Sequence, residues 1–382
     1  MRILHVTDLY RPDVGGIELF VEDLAQRQAA AGHEVTVLTA TPDHRGRADG
    51  TAPDGVRVVR IPSRPPLHPF VAPEAIENAV TAGYDIVHAH LSVLSVFATL
   101  VARATDEAGI PTVTTVHSMW AGRRPVVHTV RVLADWNRAN IVWTTVSRVA
   151  AADMVGLVPR DATVHVVPNA VDVGWWRAGA QAAPGDRPVT FLSVMRLAPR
   201  KRPFAFLSML ERARAEVPAD VALRALIVGD GKLERRMERE VRTRGLGEWV
   251  TLLGRRTRPE IRALYAEADV FVAPAQQESF GIAALEARSA GLPVVAMRAG
   301  GVGEFVRDGV EGLLCRDDEA MGAALARLAV RDHERTAITA YNRAHPPTCD
   351  WPRVVGDFDR VYAEARRGAE VRRPGGVIGG RR

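Results

Sequence analysis

Short apolar runs that read as strands alternate with longer stretches of helical periodicity along almost the whole chain. That alternation restricts the fold more than any other feature. A strand followed by a helix returns to pair parallel with its neighbour, which gives a parallel sheet covered on both faces. The first series of strands is Ile3–Thr7, Val35–Thr39, Val56–Ile61, Ile86–His90, Thr112–His117, Ile141–Ser147 and Val164–Val167. After the first of them, Gly15-Gly16 precedes Ile17, Phe20, Val21, Leu24, Ala25 and Gln28 at helical spacing, and Gly32 stops that helix. Residues 173–188 break the pattern and read as a linker. A second series follows: Val189–Val194, Ala225–Val228, Val250–Leu253, Val270–Pro274, Val294–Met297 and Gly312–Cys315.

The chain has 382 residues, more than one hydrophobic core usually serves, so the two series predict two domains. The expected fold class is α/β, with two Rossmann-like doubly wound domains, 1–172 and 189–345, facing each other across a cleft. Ligands of such folds bind at the carboxyl ends of the strands. A last helix, about Val354–Arg366 within 346–367, is expected to cross back to the N-terminal domain. Residues 368–382 are expected to be a disordered basic tail.

Charge excludes one class of partner. The net charge is +5, and the segment 366–382 supplies as much, with six arginines against Glu370. The body is therefore formally neutral, and nucleic acid is not an expected partner. Cys315 and Cys349 cannot make a disulfide framework, no run approaches the length of a membrane span, and Met1–Thr7 enters a strand without a leader pattern. A cytoplasmic enzyme is the expectation. Lys201 and Lys232 are the only lysines among 50 basic residues, which makes each informative.

Familiar cofactor signatures are missing. Gly229-Asp-Gly231 and Gly301-Val-Gly303 both lack the third glycine of a dinucleotide fingerprint, and there is no phosphate-loop lysine motif. The strongest constellation is Glu278-Ser-Phe-Gly-Ile-Ala-Ala-Leu-Glu286. Gly281 opens a helix that Gly291 closes, and Glu286 lies on a small, mostly apolar face of it, where a carboxylate needs hydrogen-bond donors. The amides of Phe280, Gly281 and Ile282 at that helix start suit an anion. A polyhydroxy ligand carrying phosphate would satisfy both acids and the anion site. Two solvated glutamates at an ordinary helix start are the plainer alternative. Arg196 and Lys201, after Ser193-Val, place two cations at a strand's carboxyl end, where they would offset charge on a diphosphate leaving group; a solvated basic turn is the alternative.

These motifs, with Val167-Pro-Asn-Ala-Val-Asp172 and Gly15-Gly16, fall in an order that resembles the retaining GT-B glycosyltransferases of glycosyltransferase family four over about residues 1–365. Met195 and Ala170 stand where that family usually has glycine. The resemblance implies a nucleotide-diphosphate sugar as co-substrate, with no other cofactor and no metal. Glu286 would bind the ribose and Glu278 the donor sugar. Arg196 and Lys201, with Gly229 nearby, would hold the diphosphate, and Gly15 and Gly16 would let the backbone approach the phosphates. His117 would stand beside the sugar ring, and Arg255 would belong to the turn lining the base. Anomeric configuration would be retained, with no dedicated nucleophile. A donor phosphate oxygen would help deprotonate the acceptor hydroxyl, which belongs to a glycolipid, cyclitol, secondary metabolite or saccharide. A sugar-nucleotide epimerase of the same fold and a non-catalytic sugar-nucleotide-binding partner subunit are the other readings.

Three weaker signals remain. Asp357-Phe-Asp359 spells a metal motif of another glycosyltransferase fold but falls in the last helix, where a solvated face is expected. His88-Ala-His90 presents two imidazoles on one strand face without a third ligand at metal spacing, so a structural or acceptor-lining role is expected. Arg124, His128, Arg131, Asp135 and Arg138 form a polar stripe on a helix opened by Pro125. The segment 125–138 reads either as peripheral contact with the inner face of a membrane or an anionic acceptor, or as an ordinary packed helix.

Overall fold

The computed structural model describes every residue except 14, 43–49, 52–54, 62–72, 94, 121–123, 134–139, 161, 178–186 and 373–382. The chain divides into two compact units, Met1–Asn169 with the segment that begins at Trp351, and Ala170–Asp350.

The first unit runs β1 (Arg2–Thr7), α1 (Gly16–Ala30), β2 (Glu34–Thr39), β3 (Gly50–Thr51), β4 (Arg57–Arg60), α2 (Pro73–Thr81), β5 (Ile86–Leu91), α3 (Val96–Glu107), β6 (Thr112–Val116), α4 (Arg124–Leu133), β7 (Val142–Thr145), α5 (Arg148–Met154) and β8 (Val164–Val166). Its sheet has the order β3-β4-β2-β1-β5-β6-β7-β8, parallel except for the short β3. The order reverses between β1 and β5, which pair directly with His5 opposite His88 and Thr7 opposite His90. The second unit runs α6 (Val173–Arg177), β9 (Val189–Val194), α7 (Pro203–Glu216), β10 (Leu223–Val228), α8 (Glu234–Thr243), β11 (Val250–Gly254), α9 (Arg258–Glu267), β12 (Val270–Ala273), α10 (Ile282–Ser289), β13 (Val294–Met297), β14 (Gly312–Cys315), α11 (Asp318–Val330) and α12 (Asp332–Ala344). Its all-parallel sheet has the order β11-β10-β9-β12-β13-β14, reversing between β9 and β12.

Central strands are covered on both faces, so β5 and β6 bury every residue and read as unbroken runs rather than alternating ones. Caps fix where several helices begin. Ser147 accepts from the Ala150 amide at 3.0 Å, Asp317 accepts from Ala320 at 2.8 Å, and Thr257 and Glu260 form a reciprocal capping box. Each such cap is worth about 1 kcal/mol.

Two expectations need correction. Val173–Arg177, read as linker, forms helix α6, because Trp176 is buried edge-on against Tyr265, 5.4 Å between ring centres. Residues 178–186 of that stretch lie outside the described residues. The last helix, α13, spans Trp351–Arg372, so 368–372 are helical rather than tail. Trp351, Val354, Phe358, Tyr362, Ala365 and Ala369 recur three or four apart and are all buried, which outweighs the roughly 1 kcal/mol that Gly368 costs a helix. Residues 373–382 lie outside the described residues. Asp357 and Asp359 are on α13 as expected; Asp357 pairs with Arg360, and Phe358 between them is core. No described helix is long and apolar enough to cross a membrane. Of the proposed membrane-facing stripe, Asp135 and Arg138 lie outside the described residues. Arg124 donates to the Asp153 and Val155 carbonyls, so it is tied to its own domain.

Candidate active site

In the second unit the expected residues gather where the strand order reverses. The loop leaving β9 is zipped to the loop leaving β10. Met195 N donates to Val228 O at 2.9 Å, Leu197 N to Asp230 O at 2.7 Å and Leu233 N to Leu197 O at 3.1 Å. Gly229 and Gly231 have φ of 130° and 150°, and a Cβ on them would stand 1.9 Å from Met195 O and 2.5 Å from Leu197 O. The Gly-Asp-Gly run is therefore a loop-to-loop contact rather than an incomplete dinucleotide fingerprint. It holds Met195 buried and presents Arg196 exposed at the sheet's carboxyl edge. Asp230 between the glycines faces Arg255 at 3.6 Å, both largely exposed.

After Arg196 the chain makes a tight turn, Pro199–Lys201, and Arg202 enters the left-handed region at φ 57°. Arg202 is the one non-glycine residue with positive φ among those described. Its guanidinium is anchored by two bonds to Asp318, 2.9 and 2.7 Å, and by one to the Pro274 carbonyl at 3.2 Å. That conformation turns Lys201 toward the loop after β12, where its Nζ forms an ion pair with Glu278 Oε2. The pair joins the two strands on either side of the reversal, and both side chains are mostly sheltered.

The β12 loop is itself pinned by glycines. Gly301 N donates to Glu278 O at 2.7 Å, and a Cβ on Gly301 would meet Ser279 O at 2.2 Å. Gly281, at φ 95°, is the N-cap of α10 and makes no side-chain cap, so the first-turn amides remain available to an anion. The Phe280 ring is core, 5.1 Å from Phe305, which leaves only its amide for a ligand; Ile282 is half-buried at the first position of the helix. Glu286 is buried on α10 beside Tyr265 of α9, whose Oη donates to the Ala283 carbonyl at 3.0 Å and lies 3.4 Å from Glu286 Oε2. Burial, and then the charge of Glu286, raise the Tyr265 phenol well above its usual range, so it stays a donor. Tyr265, with Trp176 against its ring, is a supporting residue that sequence reasoning missed. A lone tyrosine on an amphipathic helix carries no signal of its own.

In the first unit, Gly15 is the extended N-cap of α1 and Gly16 its exposed first residue. His117 follows β6, donates its backbone amide to Leu91 O at 2.9 Å, and is buried under Phe20 of α1, 5.2 Å between rings. His90 Nδ1 lies 3.0 Å from His117 Nε2. The expectation that His88 and His90 find no third imidazole is corrected, because β1 brings His5 beside them. The cluster is nevertheless built as hydrogen bonds. His5 Nδ1 and His90 Nε2 are 2.9 Å apart, closer than the ~3.3 Å between two ligands on a tetrahedral ion. His5 Nε2 meets Gln28 Oε1 at 2.7 Å, and the two nitrogens of His88 meet Tyr362 Oη at 2.8 Å and Thr115 Oγ1 at 2.6 Å. Burial lowers all four imidazoles, His5 to about 4 and His117 to about 3, with His88 and His90 held well below the usual value.

Comparison with known proteins follows the division into units. A family model described as "Glycosyltransferase Family 4" matches residues 14–175, and one described as "Glycosyl transferases group 1" matches 178–345. The chain is 30% identical to a glycogen synthase of Mycobacterium tuberculosis, covering 98% of this chain and 97% of that one. It is 29% identical to a D-inositol 3-phosphate glycosyltransferase of Salinispora tropica, over 95% and 84% of the two chains. Among solved structures, Anabaena HepE in complex with UDP and glucose is similar in fold, with a TM-score of 0.75 and 21% identity over 95% of this chain and 99% of that one.

Proposed function

The chain belongs to glycosyltransferase family four, and from that premise we propose that it moves a hexosyl group from a nucleotide-diphosphate sugar to an acceptor hydroxyl with retention of configuration. The observation that carries this reading is the Lys201–Glu278 pair across the strand reversal of the second unit, beside the uncapped start of α10. Bound there, the diphosphate would take the positive charge of Lys201 and Arg196, leaving Glu278 to accept from hydroxyls of the donor sugar. Glu286, positioned by Tyr265, would accept from the ribose, and Arg255 would border the base. In this reading Gly15 and Gly16 would meet the donor's phosphates and His117 its sugar ring, the roles that the resemblance implies for them. The two cations would stabilise the leaving diphosphate by charge, so neither a metal nor a further cofactor is needed in this reading. UDP is the favoured nucleotide, since HepE, a structural neighbour, binds it. The acceptor is a hydroxylated glycolipid, cyclitol, secondary metabolite or saccharide.

A thermal-shift series with UDP, GDP, ADP and TDP, with and without EDTA, tests the reading. One diphosphate raises the melting temperature by an amount that EDTA does not change. A shift abolished by EDTA would overturn metal independence, and no shift from any nucleotide would remove the donor site. Glu286→Ala should weaken that nucleotide's binding about tenfold, the equivalent of one ordinary hydrogen bond, as measured by calorimetry. Wild-type affinity would sink the ribose assignment.

A further inference from the structure

Beneath His117 the buried polar groups of the first unit form one continuous chain of hydrogen bonds that starts at a backbone carbonyl. Thr144 Oγ1 donates to Thr114 O at 3.3 Å and so accepts from Thr115 Oγ1 at 2.5 Å. Thr115, its proton used, accepts from His88 Nε2 at 2.6 Å. A neutral imidazole carries one donor and one acceptor, so His88 Nδ1 accepts from Tyr362 Oη at 2.8 Å. Tyr362 then accepts from the Gln28 amide nitrogen at 3.1 Å, which turns the Gln28 carbonyl toward His5. His5 Nε2 donates to that carbonyl at 2.7 Å, His90 Nε2 donates to His5 Nδ1 at 2.9 Å, and His117 Nε2 donates to His90 Nδ1 at 3.0 Å. Once the Thr144 proton is given to the Thr114 carbonyl, each later step leaves a single choice for the next, because every group after it already has its proton or its lone pair committed to the neighbour before it.

We infer that this chain fixes His117 as its Nε2–H tautomer, so that Nδ1 is the ring's acceptor, and that Gln28, His5 and His90 are positioning residues for it. The inference rests on the reading of His117 as a donor-sugar residue. An Nδ1 acceptor suits a sugar hydroxyl, which has a proton to give, and disfavours a carboxylate at the same place. Burial of all four rings keeps them neutral, the condition under which the direction of one bond passes to the next. The residues of the chain lie on α1, α13 and four strands of one unit, so the tautomer of a residue at the sheet's edge is set by packing deep beneath it.

The test is nitrogen NMR of histidine-labelled full-length protein, with His117 assigned through His117→Gln. The wild type should carry its proton on Nε2, with Nδ1 unprotonated. Gln28→Leu, which removes the carbonyl that orients His5, should populate the other His117 tautomer and lower kcat about tenfold while the affinity for UDP is unchanged. Gln28→Glu, which keeps an acceptor toward His5, should retain the wild-type tautomer. An Nδ1–H signal in the wild type overturns the inference. So do unchanged His117 signals in Gln28→Leu, or in Tyr362→Phe where Gln28→Leu does not fold. Full activity in His117→Ala would instead remove the donor-sugar role and leave the tautomer result standing.

Discussion

Lowering the pH from 7 to 5 should unfold the first unit. Folded His5 and His117 titrate near 4 and 3, and His88 and His90 also well below 6.5, whereas the unfolded chain takes up those protons around 6.5. A depressed folded pKa means that stability is complete above about 6.5 and is lost as pH falls toward the folded values. Asp8 acts in the opposite sense. Its carboxylate is buried at the start of α3, accepting from the Phe97 and Ala98 amides, and burial pushes it up to about 6. The folded unit therefore binds one proton there that the unfolded chain does not hold until about 3.8. With four groups destabilising and one offsetting, unfolding near pH 5 takes up about three protons, or about 4 kcal/mol per pH unit. Against a total stability of about 5–15 kcal/mol, that is decisive. A melting temperature unchanged between pH 7.5 and 5 would show that the rings are not neutral and buried as described.

Replacing Lys201 should cost activity far more than stability. Lys201→Met removes the cation that pairs with Glu278 and, in the proposed reaction, meets the leaving diphosphate. The expected loss in kcat/KM is about 10²–10³-fold, the usual effect of deleting one preorganised charge at a transition state. The melting temperature should move by no more than about 1 kcal/mol implies, because the pair is not fully desolvated. Lys201→Arg is the sharper variant. A guanidinium can take both oxygens of Glu278 in a fork and hold the carboxylate away from a sugar, where an ammonium binds one oxygen and can be shared. Turnover of a labelled donor should fall by at least about tenfold in Lys201→Arg, and wild-type turnover would make the lysine's presence among so many arginines an accident of composition.

The two α/β units and the positions of nearly all their strands were legible in the sequence, because alternation of apolar runs with helical periodicity is a local property. The Glu278–Glu286 helix start was legible there too, and the rarity of lysine marked Lys201. What those residues touch came from the packing of the folded chain. Lys201 and Glu278 are distant in sequence and meet because β9 and β12 pair at the strand reversal, an outcome of chain crossover that no local pattern encodes. His5 joins His88 and His90 for the same reason, across β1 and β5, and Tyr362 reaches them only because α13 packs on the same unit. Trp176, legible only as part of an irregular stretch, turned out to support Tyr265 and through it Glu286. Periodicity reports which face of an element is buried, whereas the partner on that face is chosen by strand order and helix packing, and the chemistry of this site depends on the partner.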